Sequence, residues 1–301
     1  MSNPSDPMPI ENLTIIGERI NPGFKSSKLL FDQEDIAGIQ ALAAGQVQAG
    51  ARMLNINVGE LALRKPEFMS ELIPAVQKVV AVPLSFDFPN FEVQERCLKA
   101  YDPVKAGGAR PIVNSISELR YEMAELLRVR PCRFVLMASE RLENGKRIAN
   151  KTSAEVHATA ARMAGRMLAA HGELSAGDLF VDVSVGPIGA DMDGLTRMAL
   201  DAIGAIGADT ALKGIHMSVG LSNISIMLPK DAGDGSPLKH QIESAFLTLA
   251  VPLGLDTVLA SPGRDYRMLP ADNLVMRGVS EALALDGIEA VLRIQQIYRP
   301  N

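Results

Sequence analysis

Leu13-Thr14-Ile15-Ile16-Gly17-Glu18-Arg19-Ile20-Asn21-Pro22 is an apolar, β-branched run that ends in a glutamate, an arginine and an asparagine at a Pro-Gly turn. The same ending recurs down the chain, at Asn57-Val58-Gly59, Asp87, Asn114, Asp182 and Ser222-Asn223. Continuous apolar runs of this length fit strands buried on both faces of a parallel sheet. When successive strands end in Asp or Asn, their hydrogen-bonding side chains gather at one rim. In a parallel β/α barrel that rim is the carboxyl-terminal face, where ligands bind.

Working outward, the pattern predicts eight strands: Leu13–Gly17, Met53–Val58, Leu84–Phe88, Ile112–Ile116, Phe134–Ala138, Leu179–Val185, His216–Leu221 and Thr257–Ala260. Stretches of helical period separate them: Glu34–Ala49, Glu67–Val80, Phe91–Tyr101, Ser117–Leu127, Asp191–Ile206, Lys239–Val251 and Pro270–Leu285. Thr152-Ser153-Ala154-Glu155 reads as a capping box opening the longest helix, to about Ala170. Asp286–Tyr298 reads as an additional terminal helix. Eight β-α repeats favour an α/β fold, a single (β/α)8 TIM barrel with its core over about 13–285. The fallback is an open doubly wound sheet, but no G-x-G-x-x-G follows the first strand and no P-loop occurs. Two segments, Glu140–Lys151 after strand five and Pro229–Pro237 after strand seven, read as solvated loops, and as a pair suit lid or docking elements.

The bulk numbers narrow the class. The 301 residues show no composition break, so one large domain is expected. The chain is 47% hydrophobic but 4% aromatic with no Trp, so Ala, Val, Ile, Leu and Met must build its core. That favours parallel strands under Ala-rich helices over an aromatic-rich sandwich. A formal charge of −5 gives no footprint for nucleic acid or an anionic membrane. Cys97 and Cys132 are too few for a disulfide framework and stand outside any metal-ligating spacing, which fits a reduced cytoplasm. No apolar run is long enough to span a bilayer, and the N-terminal stretch lacks the pattern of a signal peptide.

The strand ends carry the candidate chemistry. A carboxylate accepts two adjacent N–H groups, and an amide supplies one donor and one acceptor side by side. Asp87, Asn114, Asp182 and Asn223 together would form the wall that a flat heterocycle needs, and leaving such groups unpaired in a dry pocket makes it selective. Each alone also suits the cap of the following helix. Glu18, Arg19 and Asn21 cluster at the first strand end, and an internal ion pair steadying the loop is expected for Arg19. Asn55 and Asn57 alternate along strand two and share a face, one as a polar barrel residue and one as a ligand contact. His157, His171, His216 and His240 read as surface or packing residues, without zinc spacing. No lysine ends a strand, which argues against a Schiff-base aldolase.

Gly17-Glu18-Arg19-Ile20-Asn21, Leu54-Asn55-Ile56-Asn57-Val58-Gly59, Asn114-Ser115 and Gly220-Leu221-Ser222-Asn223 resemble, in order, the pterin-binding methyltransferases. These act between methyltetrahydrofolate and a corrinoid protein, and are more distantly related to dihydropteroate synthase. The narrower likeness is to methylcorrinoid:tetrahydrofolate methyltransferases of bacterial methyl-compound degradation. The resemblance implies a dihydropteroate-synthase-like barrel, a homodimer, tetrahydrofolate or 5-methyltetrahydrofolate as substrate, and cobalamin or another corrinoid carried by a partner protein. It implies that Asp87, Asn114 and Asp182 bind the pterin edge, that Asn223 lies beside N5, and that Asn223 and Asp182 serve catalysis. Glu18, Asn21, Asn57, Gly220 and Ser222 would complete the substrate site. Asn55 stands where family members often have Asp, and Ile224–Pro229 is more apolar than in the acetogen enzymes. A dihydropteroate-synthase-like enzyme is the alternative, against which a strand-seven Ser-Arg-Lys type motif and a late His-x-Arg are missing. A folate-binding barrel without catalysis is the other alternative.

Overall fold

The computed structural model describes residues 8–299. The N-terminal stretch read above for a leader begins in residues 1–7, outside them. Eight strands close into a parallel barrel: β1 (Thr14–Ile20), β2 (Met53–Ile56), β3 (Leu84–Asp87), β4 (Ile112–Ile116), β5 (Arg133–Met137), β6 (Leu179–Asp182), β7 (His216–Gly220) and β8 (Thr257–Ala260). Each pairs with its neighbours in sequence, and β8 returns to β1 in the register Ala260↔Gly17. All eight expected strands are present, within a few residues of the expected ends. The strand interiors are buried, as double coverage by barrel interior and helical shell requires.

The helical shell follows local chemistry. Asp35 caps the Ile36–Gln48 helix by accepting the Gly38 N–H at 2.9 Å. Thr152 and Glu155 form the expected capping box of Ser153–Ala170. Asp191 begins no helix. It caps one from upstream, taking the N–H groups of Leu195 and Thr196 at 2.7 and 2.8 Å, so that helix runs Leu195–Ala208. The terminal helix is present as Gly287–Tyr298.

Three local expectations are corrected. Ser117–Leu127 is not an α-helix but a 3₁₀ stretch, Glu118–Arg128, broken at Arg120. The Arg120 guanidinium donates to Ser115 at the end of β4 and lies 4.0 Å from Glu140, a tertiary demand that overrides good helix formers. Glu140–Lys151 is not a plain loop. Glu140–Glu143 and Lys146–Ala149 pair as an antiparallel hairpin. Asn144 and Gly145 both have positive φ at its tip, the requirement of a type I′ turn. A further short helix, Lys25–Asp32, stands where no helix was expected. No helix among the described residues is long and apolar enough to cross a membrane.

Two helical glycines test the packing in opposite senses. A Cβ at Gly45 would meet nothing, whereas at Gly207 it would lie 2.3 Å from the Leu253 carbonyl oxygen. Urea unfolding of Gly45→Ala is expected to show a gain of about 0.5–1 kcal/mol from helix propensity. Gly207→Ala is expected to lose about 2 kcal/mol, because a backbone oxygen cannot yield cheaply.

Candidate functional site

Side chains two apart on a strand share a face, so the floor of the barrel predicts its mouth. Ile112, Val135 and Phe180, with Met53 packed on them, form a small apolar cluster separate from the main core. One step toward the carboxyl ends, the same strand faces present Asn114 above Ile112, Asp182 above Phe180, and Asn55 then Asn57 above Met53. Asp87 stands likewise above the buried Ser85. A dry floor thus lies under a polar ring, which Glu18 on β1 and Ser261 just past β8 complete.

Asp87 organises one side of the ring. Its Oδ2 accepts from Asn55 Nδ2 and Asn57 Nδ2, both at 3.1 Å. Its Oδ1 has no hydrogen-bond partner among the described residues. Asn114 Nδ2 makes a long 3.5 Å contact with Asn55 Oδ1. Asn55 is buried, and its carboxamide supports a carboxylate where a second carboxylate would repel it. Asn57 also accepts the Gly59 N–H at 2.8 Å. Both asparagines thus donate to the protein's own acid.

Asp182 is less well compensated. Its Oδ1 accepts the Ser184 N–H at 2.7 Å. Burial, aided by the negative charge of Asp87, outweighs that bond and raises its pKa to about 6.

The opposite side is built around Asn223, in the 3₁₀ turn Leu221–Ser225 that closes β7. Its side chain is exposed at the mouth. Gly220 is tight beneath it, since a Cβ there would sit 2.8 Å from Asn223 Nδ2. Ser222 Oγ donates to Glu18 Oε2 at 2.7 Å, and Ser261 Oγ donates to Glu18 Oε1 at 2.7 Å. Glu18 is thus buried and occupied by the protein. Burial raises its pKa, against the lowering effect of Ser261 and Ser222.

Among the described residues Arg19 makes no ion pair, contrary to expectation. Period two turns Glu18 inward and Arg19 outward, where the guanidinium reaches Ser26 and lies 4.5 Å over the Phe24 ring. Asn21 shapes the first loop, accepting the Gly23 N–H at 2.8 Å through Oδ1 and the Ser27 hydroxyl at 2.7 Å through its carbonyl. Asp87, Asn114 and Asp182 meet on one wall. Glu18, Ser222 and Gly220 support the Asn223 turn, and Asn21 and Asn57 support their loops.

Sequence reasoning missed Glu243, Arg264 and Tyr266, which lie behind that turn. Glu243 is fully buried on the Leu238–Ala250 helix, accepting from Ser225 Oγ at 2.6 Å, from Tyr266 OH at 3.1 Å and from the Arg264 guanidinium. The available signal was a lone acid inside the apolar run Ile242–Leu249. The histidines are peripheral, as expected: His157 pairs with Asp209, and His216 with Asp256 at the amino-terminal end of the barrel. A cleft of about 460 Å³ lies on the flank instead, lined by Arg141, Arg162, Arg166, Glu118 and Tyr121. It holds none of the strand-end residues.

Comparison with known proteins places this geometry. The family described as pterin binding enzyme matches residues 18–260. The chain is 27% identical over 256 residues to a methylcorrinoid:tetrahydrofolate methyltransferase of Eubacterium limosum, covering 83% of this chain and 85% of that one. Among solved structures it is similar to the dihydropteroate synthase of Thermus thermophilus, with a TM-score of 0.54 at 20% identity over 85% of this chain and 91% of that one. The Xanthomonas albilineans dihydropteroate synthase gives a TM-score of 0.56 at 18% identity, over 85% and 90%. At these identities the structural likeness shows the barrel fold.

The raised pKa of Asp182 makes a stability prediction. The folded protein holds the proton more tightly than the unfolded chain, so ionisation costs stability as pH rises from about 4 to about 6 and the cost is full above that. Asp182→Asn is expected to be more stable than wild type by about 1–3 kcal/mol at pH 7.5. The two should converge near pH 4 in urea unfolding. A difference independent of pH would contradict the assignment.

Proposed function

Because this chain belongs to the pterin-binding enzyme family, we propose that it transfers a methyl group between N5 of tetrahydrofolate and the cobalt of a corrinoid carried by a partner protein. The observation that carries the reading is the pairing of a partly unsatisfied acid wall with an exposed amide across one barrel mouth. The E. limosum relative, named for this reaction, supports it.

The residues fit a reduced pterin. The pyrimidine edge of a pterin offers an amino and a ring N–H side by side, and Asp87 keeps one oxygen open to them while Asn55 and Asn57 hold the other. Asn114 adds an adjacent donor and acceptor. The apolar floor excludes water below, which strengthens these bonds and penalises any heterocycle that leaves them unmade.

Asn223 faces the reacting nitrogen. In methyl transfer to tetrahydrofolate, N5 forms the new N–CH3 bond and gives up its proton, while the electron pair of the broken carbon–cobalt bond stays with the corrinoid. In the reverse direction the departing nitrogen must receive a proton or a strengthened hydrogen bond, since it would otherwise leave as an anion. A neutral amide does this without becoming a permanent acid. Asp182, with a pKa near 6, takes up or returns the proton through water. The corrinoid supplies the methyl-accepting or methyl-donating cobalt. The exposure of Asn223 leaves the pterin face open to a second protein. The reading takes the chain as one barrel domain, working as a cytoplasmic homodimer.

An anaerobic absorbance assay with methylcob(III)alamin and tetrahydrofolate tests it, through formation of cobalt(I). Wild type is expected to turn over. Asn223→Ala is expected to slow transfer by about 100-fold or more while tetrahydrofolate still binds. Unchanged turnover in Asn223→Ala would overturn its role, and failure of wild type to bind tetrahydrofolate would overturn the function.

A further inference from the structure

The amide of Asn223 is exposed, yet the turn that carries it is fixed from below at two points. Ser222, one residue before, donates to buried Glu18 at 2.7 Å. Ser225, two residues after, donates to fully buried Glu243 at 2.6 Å. Each carboxylate is held in turn by other elements: Glu18 by Ser261 past β8, and Glu243 by Arg264 and Tyr266 in the segment after it. A charge on Glu243 would be costly in this interior without the Arg264 guanidinium, so the pair and its hydroxyl donors stand or fall together.

We propose that Glu243, acting through Ser225, is a positioning residue for the transfer step, forming with Glu18 a two-point clamp that sets the Asn223 amide against N5. This rests on the methyl-transfer reading above. Three facts distinguish the clamp from ordinary core packing. Its two anchors flank one exposed residue. Both end on hydroxyls of the same five-residue turn. Gly220 leaves the Asn223 amide so close to its own backbone that a small displacement of the turn must move the amide. Misplacement of a reacting group by about 1 Å is worth as much as 100-fold in rate, whereas pterin affinity, carried by Asp87 and Asn114 across the mouth, is untouched.

The test uses Ser225→Ala, which deletes one hydroxyl and keeps the Glu243–Arg264 pair, alongside Glu243→Gln and the conservative Ser225→Thr. Protein labelled with 15N at asparagine reports the Asn223 side-chain amide directly, its signal assigned by Asn223→Ala. The expected result is a shifted or broadened Asn223 signal in Ser225→Ala and Glu243→Gln, with the Asn114 signal unmoved. Methyl transfer should fall by about tenfold or more. Tetrahydrofolate affinity by calorimetry should stay within about twofold, and Ser225→Thr should restore the rate. An Asn223 signal unmoved in Ser225→Ala, or a matching loss of tetrahydrofolate affinity, would overturn the clamp. Were wild type itself inactive, the methyl-transfer reading would fall, and the asparagine signals would still decide whether Glu243 sets the turn.

Discussion

A carboxylate taken out of water must be given donors, a cation or a proton, and the mouth of this barrel is arranged around that requirement. Glu243 is given a guanidinium and two hydroxyls. Glu18 is given two hydroxyls from different strand ends. Asp87 is given two carboxamides on one oxygen. Asp182, held by Ser184 alone and beside the negative charge of Asp87, remains under-compensated, and its pKa is raised to about 6. The compensation is graded: Glu18 and Glu243 have partners on both oxygens or a cation, while Asp87 and Asp182 are less fully paired. In the function proposed above, the first two fix geometry and the other two serve the ligand and the proton.

The barrel makes this gradation possible. Closure of eight parallel strands aims every second side chain at a common axis, and the layer below the mouth is apolar. Polar groups can then gather one layer up without flooding the core. The 3₁₀ turn after β7 carries an exposed amide, Asn223, while its flanking serines reach down to the buried acids. The same serines therefore join the folding of the turn to the chemistry proposed for it.

The barrel was legible because each strand is a continuous apolar run broken by polar residues. Asp87, Asn114, Asp182 and Asn223 were legible as strand ends. The bond from Asn57 to Asp87 was not, because period two places Asn57 on the inner face without naming the carboxylate it meets there. The same alternation explains why adjacent Glu18 and Arg19 never pair. Glu243 and Arg264 are 21 residues apart and meet only through the tertiary fold, so only the oddity of an acid among apolar neighbours hinted at them. The hairpin tip was a different case. Asn144-Gly145 is a strong type I′ signal, obscured by the charged residues around it. The 3₁₀ stretch at Glu118–Arg128 had no local warning, since its departure from the α-helix is imposed by Arg120 reaching across to Ser115.

The most direct test of the strand-end site is calorimetric titration with tetrahydrofolate of wild type, Asp87→Asn and Arg166→Ala. Asp87→Asn keeps the volume and an acceptor for Asn55 and Asn57 but loses the charge. Arg166 lies in the flank cleft, over the Tyr121 ring. If the mouth binds the pterin, Asp87→Asn weakens binding by about tenfold to a hundredfold and Arg166→Ala leaves it unchanged. Equal affinity in Asp87→Asn, or loss of binding in Arg166→Ala, would contradict the account.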